Sequence, residues 1–190
     1  MRRAGSPPVG GKRALLAAVS GMALLGALGC SPSGSGDTSD DSSTPQASGS
    51  NSLENLDPCE MLSEAELKSF GLELPGEPTE DLPWSPGCYY SGEPISAALS
   101  KDTRNTVSTN AEKNVWAEFE RLQVNGRSGA RAITKGSTQA RICNVMFNAG
   151  DGLIQVQVRE TNPPDTLDEC AKGVEIAKKI EPNVPEPARP

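Results

Sequence analysis

Five thiols carry most of the chemistry this chain could perform, and they divide into one and four. Cys30 follows Gly29 at the end of an apolar run, residues 14–28, that is preceded by Arg2, Arg3, Lys12 and Arg13. A basic n-region, a 15-residue apolar segment and a closing small residue make a secretory signal, too short to span a bilayer. A cysteine directly after that small residue resembles a bacterial lipobox, in which the signal is cut before a lipid-modified Cys. Ala27 and Leu28 depart from the usual residues at their places in it. Two acyl chains on one residue give stable anchoring, where a single chain binds only marginally. The expectation is a signal peptide over 1–29, lipidation at Cys30, and a protein held at the outer face of the cytoplasmic membrane. Plain secretion would instead leave Cys30 as an exposed thiol in an oxidising compartment.

Removing Cys30 leaves Cys59, Cys88, Cys143 and Cys170, an even set that reads as two disulfides in an exported domain. Three pairings are open to four cysteines. The pairing expected is Cys59–Cys88 with Cys143–Cys170, two separate loops of similar length, each contributing roughly 3–4 kcal/mol on a chain-entropy account. A zinc site would show close C-x2–4-C pairs, whereas the nearest two cysteines here stand 27 residues apart. Neither a metal nor a cofactor is expected.

The chain contains no His, which removes Ser-His-Asp and Cys-His catalysis and His-ligated zinc. Carboxylate pairs remain. Glu118 and Glu120 read as a solvated face, and Asp165, Asp168 and Glu169 as acids stabilising a helix N-terminus. Ser63 with Lys68 could form a Ser-Lys pair, but Ser63 is accounted for as an N-cap. No enzyme is therefore expected, and a carboxylate-dependent hydrolase stands as the lesser alternative. Trp84, Tyr89 and Tyr90 lie close together beside the first expected bridge and form the candidate binding patch. Packing over that bridge is the competing account, and Trp116 is expected in the core.

Charge narrows the partners. The chain holds 18 basic and 25 acidic residues, and residues 1–29 take four of the basic ones, so the mature chain carries −11. Such a surface argues against nucleic acid and against electrostatic docking on anionic lipid heads. The partners left are the bilayer, through Cys30, and an unknown envelope protein, glycan or lipid. A carrier of small lipids or other hydrophobic ligands would need a large apolar cleft. With only 35% hydrophobic residues, signal included, this alternative ranks below partner binding.

These residues need positioning. Residues 30–52 are almost wholly Ser, Gly, Thr, Asp, Pro and Asn after Cys30 and read as a disordered tether spanning about 26 Å. Residues 53–182 suit one globular domain and 183–190 a Pro-rich tail. Asp57-Pro58-Cys59-Glu60 predicts a capped helical turn, and Ser63-Glu64-Ala65-Glu66 a capping box opening a helix that Gly71 stops. Four prolines make 73–87 a loop. Strands are expected at 88–90, 95–99, 122–124, 130–134, 141–148 and 153–159, with turns at Asn125-Gly126 and Gly150-Asp151. Ala111, Val115 and Phe119 recur every fourth place and predict a helix over 109–119. A capping box from Thr166 to Glu169 opens a last helix to about Ile180, with an inward stripe of Leu167, Cys170, Val174, Ala177 and Ile180. A Cys143–Cys170 bond would staple that helix to the sheet. The sum is an α+β single domain: a mainly antiparallel sheet packed by an N-terminal and a C-terminal helix and stapled by two disulfides.

The same words in the same order are similar to a known family. Signal, lipobox and tether, then Asp57-Pro58-Cys59, Met61-Leu62-Ser63, Gly71-Leu72 and Gly87-Cys88-Tyr89-Tyr90, resemble the actinobacterial lipoproteins grouped as domain of unknown function 3558. The Asn125–Ala130 turn and strand, the Cys143 strand and the Cys170 helix extend the resemblance over about 53–182. It implies an envelope lipoprotein of unassigned activity and supplies no catalytic residue.

Overall fold

The computed structural model describes residues 52–80, 82–138, 140, 142–161 and 167–188, all within the unit Gln46–Pro190. The expected signal peptide, Cys30 and the tether to Asn51 lie outside the described residues, as do Asp165 and Thr166.

The chain enters through a 3-10 turn, Pro58–Glu60, in which the Asp57 carboxylate accepts the Cys59 N–H at 2.8 Å. Helix α1 (Glu64–Ser69) follows. Its N-terminus is closed by the expected box, the Ser63 hydroxyl accepting from Glu66 N while the Glu66 carboxylate accepts from Ser63 N. Gly71, at φ 75°, turns the chain out of the helix. The region read as a loop contains a short strand, β1 (Glu77–Thr79), at the outer edge of the sheet. Pro78 is tolerated there because an edge strand has ladder positions that need no donor.

Strands β2 (Gly87–Tyr90) and β3 (Ile95–Asp102) extend the sheet inward. A five-residue helix α2 (Val107–Ala111) then carries the chain to the far edge. From there β4 (Trp116–Val124), β5 (Arg127–Thr134), β6 (Ile142–Ala149) and β7 (Gly152–Glu160) return as an antiparallel meander that closes on β3. The order is β1-β2-β3-β7-β6-β5-β4, antiparallel throughout. Asn125 and Gly126 both take positive φ in the β4–β5 turn, as a two-residue hairpin requires.

The expected helix over 109–119 is corrected: only residues up to Ala111 are helical, and Trp116 onward is strand. A register shift between Trp116 and Glu118 places Trp116 and Phe119 against the same cluster despite their three-residue spacing. A bulge inside a period-two strand imitates helical spacing here.

Helix α3 (Glu169–Ile180) lies across β6 and β7. Its N-cap is Asp168, whose carboxylate accepts Ala171 N at 2.9 Å. Gly173, Ile176, Ala177 and Ile180 form the buried side, so the inward stripe includes Gly173 and Ile176, while Cys170 and Val174 sit at its margin. Strand alternation supplies the opposing surface: Cys143, Val145, Phe147 with Ile154, Val156 and Val158. Full burial of a side chain such as Ile176 stabilises by roughly 1.5–3 kcal/mol. The other sheet face carries a smaller cluster of Val107, Ala130, Ala132, Met146 and Leu153. Beside it the Asn144 amide oxygen accepts from Gln155 and Gln157, at 3.3 and 3.0 Å.

Residues 183–188, expected as a free tail, lie on the domain. Val184 is buried, and the Arg127 guanidinium donates to the carbonyls of Glu181, Val184 and Pro185 as well as to the Glu181 carboxylate. Gly150 N and Ala188 N complete the attachment with bonds to Pro185 O and Gly150 O.

Candidate functional site

The four domain cysteines form the two expected bridges. Cys59–Cys88 ties the N-terminal 3-10 turn to β2, and Cys143–Cys170 ties α3 to β6, with Cα–Cα distances of 5.1 and 5.2 Å. The expected aromatic patch does not form as a unit. Tyr89 and Tyr90 are neighbours on β2 and so face opposite sides of the sheet. Tyr89 is 37% exposed, while Tyr90 is 1% exposed and donates its hydroxyl to Cys59 O at 2.9 Å. Burial, with the Asp57 charge adding to it, pushes the Tyr90 phenol above its ordinary pKa, which keeps it a donor. Gly76 passes so close that any side chain there would strike Cys88 Sγ and the Tyr90 ring. Tyr90 is core, as its contact with the bridge requires.

Trp84 lines a concavity. The Pro83-Trp84 segment, Pro86, the end of β3 and the incoming N-terminal segment enclose a cleft of about 600 Å³. Two bonds hold Trp84 to the strand end: Thr103 N donates to Trp84 O at 3.2 Å and Thr103 Oγ1 at 3.4 Å. Arg104 stacks on the indole, its Cζ 3.9 Å from a ring centroid. Lys101 continues the inward parity of Ile95, Ala97 and Leu99 and is only 7% exposed. Its ammonium donates to Glu54 O and Leu56 O at 2.6 and 2.7 Å, pinning the entering chain to the sheet. Burial pulls the Lys101 pKa down, against the opposing pull of Asp57, Glu54 and Asp151. Asp151, in the β6–β7 turn, accepts Leu53 N at 3.0 Å and lines the same cleft.

The carboxylates read as a solvated face and a helix end meet in a second concavity. Glu118, Glu120, Asp168 and Glu169 border a cleft of about 520 Å³ with Arg131. Glu120 is committed to Arg131, whose Nε lies 2.9 Å away, and this bond raises the arginine pKa further. Asp168 is committed to Ala171 N as a cap. Ser63 and Lys68 do not meet: Ser63 bonds Glu66 and Lys68 pairs with Glu64. An apolar concavity lined by Phe70, Pro94, Ile95 and Leu167 holds about 230 Å³, under the usual size of a small-molecule site. Among the described residues, no three His, Cys, Asp or Glu side chains are grouped to hold a metal, and no helix is long and apolar enough to cross a membrane.

Sequence reasoning missed Lys101, Arg104 and Asp151. Lys101 had a signal, a cation standing at an inward position of an alternating strand. Arg104 and Asp151 had none, because Trp84, Arg104 and Asp151 converge from three separate loops. A family model described as Protein of unknown function (DUF3558) matches residues 25–183, and no curated protein and no solved structure matches the chain.

Proposed function

The chain belongs to the DUF3558 family, and we propose that it is an extracytoplasmic lipoprotein, anchored through Cys30 to the outer face of the cytoplasmic membrane, whose domain is a non-catalytic binding or accessory module of the cell envelope. The two disulfides support the address, since such bonds persist in oxidising compartments. The binding role rests on one observation: the Trp84 cleft. It gathers an indole, a stacked guanidinium, a buried ammonium and two carboxylates in one concavity, the mixture of ring area and fixed polar groups that ligand sites use. In the second concavity Asp168 is spent on a cap and Glu120 on an ion pair, which favours recognition over acid–base chemistry there.

The test is site-directed photo-crosslinking in intact cells of the source organism. A photoreactive residue at Thr103, on the cleft rim, is compared with one at Lys178, exposed on α3. The reading expects a discrete adduct from Thr103 that is absent from Lys178 and is lost on Arg104→Gln. Identical labelling from both positions, unaffected by Arg104→Gln, contradicts it.

A further inference from the structure

The lining of the Trp84 cleft carries both signs of charge, and among the described residues no ion pair joins them. Lys101 and Arg104 supply two cations; Glu54 and Asp151 supply two carboxylates. Lys101 spends two of its three N–H bonds on the carbonyls of Glu54 and Leu56. The Arg104 guanidinium sits over the Trp84 ring, and among the described residues none of its side-chain N–H groups is bonded. The contact holds the guanidinium against the indole with its fork of donors unspent, and such a fork takes a carboxylate or phosphate through two parallel bonds. Asp151 uses one oxygen on Leu53 N, and the Glu54 carboxylate makes no bond to the described residues. A bare anion would meet Glu54 and Asp151, and a bare cation would meet Lys101 and Arg104. A ligand carrying both signs satisfies the whole lining.

We propose that this cleft binds a zwitterion, an anionic oxyacid group held by Arg104 with Lys101 behind it and an ammonium held by Asp151 and Glu54, with Trp84 as the floor beneath the guanidinium. This deepens the reading of the cleft as the binding surface and rests on it. Phosphoethanolamine and glycylglycine are small probes that carry that pair of charges. The cleft's chemistry is common to both.

The experiment uses the full chain in a non-ionic detergent. Trp116→Phe leaves Trp84 as the sole indole, and its emission is followed during titration with phosphoethanolamine, glycylglycine, inorganic phosphate and ethanolamine. A saturable change is expected with phosphoethanolamine or glycylglycine at millimolar concentration, about −4 kcal/mol. The half-ligands should bind at least about tenfold more weakly, and Arg104→Gln should weaken the zwitterion by about tenfold or more, as loss of a charge-assisted bond does. Saturable binding of either zwitterion supports the proposal, and preference between them tells whether the anionic group is a phosphate or a carboxylate. Equal binding of inorganic phosphate alone, indifference to Arg104→Gln, or no saturable change overturns it. A Thr103 crosslink in cells without zwitterion binding removes the ligand class and keeps the cleft; loss of both removes both.

Discussion

Gly173 is where helix α3 comes closest to the sheet, and replacing it gives a sharp test of the packing. A Cβ built at Gly173 would stand 2.7 Å from Val145 Cγ2, about 0.7 Å inside the shortest ordinary contact of 3.4 Å. Val145 is fully buried, and its β-branched side chain is stiff at χ1. Relieving such an overlap costs about 1–3 kcal/mol in a close-packed core. Against this, Ala is a better helix former than Gly by about 1 kcal/mol. Gly173→Ala in the native background should therefore destabilise by about 1 kcal/mol, lowering the melting temperature by about 3–6 °C for a domain of this size. Val145→Ala removes the obstructing methyl and by itself costs about 2 kcal/mol. In that background the remaining contacts, at 3.5 and 3.7 Å, are ordinary, so Gly173→Ala should now stabilise by about 1 kcal/mol. The sign reverses, a coupling of about 2 kcal/mol. Denaturant unfolding of the four proteins, disulfides intact, measures it. Equal effects of Gly173→Ala in both backgrounds would refute the helix–sheet contact described.

Arg127→Met should cost about 2–3 kcal/mol, because it leaves the partly buried Glu181 carboxylate with the Asn125 amide alone and frees three carbonyls; hydrogen exchange should show residues 181–188 losing protection, and unchanged protection would place the attachment of this C-terminal strap elsewhere. Lys101 gives a pH effect whose sign follows from its lowered pKa. Between that value and the ordinary lysine pKa, the folded domain binds fewer protons than the unfolded chain, so its contribution to stability rises with pH across the window. Lys101→Met should abolish this slope in pH-dependent unfolding, and an identical slope in both proteins would contradict it. Tyr90, raised instead, works in the opposite direction above the ordinary tyrosine pKa, and Tyr90→Phe should soften the fall in stability there, a change absent if the phenol were exposed.

What was legible in the sequence was local. Ser63 and Glu66 close a helix through bonds three residues apart, and Asn125-Gly126 adopts a backbone that few other pairs tolerate. Ile154, Val156 and Val158 alternate cleanly with Gln155 and Gln157, so the β6–β7 hairpin followed. The pairing expected from two separate loops of similar length is the one that forms. Trp116 to Phe119 misled because a bulge turns strand parity into a three-residue step. Tyr89 and Tyr90 could have been separated at once by strand alternation, whereas their adjacency in the chain suggested a shared surface. The strap at 183–188 was invisible because Arg127 recognises its carbonyls rather than its side chains. The Trp84 cleft was half visible: the indole stood out, but its guanidinium, ammonium and carboxylates assemble only when β3 and the β6–β7 turn meet the entering chain.

The anchor at Cys30 is the claim on which the proposed role depends, and intact-mass analysis of the protein recovered from fractionated cells tests it most directly. The expected result is a membrane-bound product that begins at Cys30 and carries at least two acyl chains, with Cys59, Cys88, Cys143 and Cys170 oxidised. A soluble product bearing an unmodified Cys30 would contradict it.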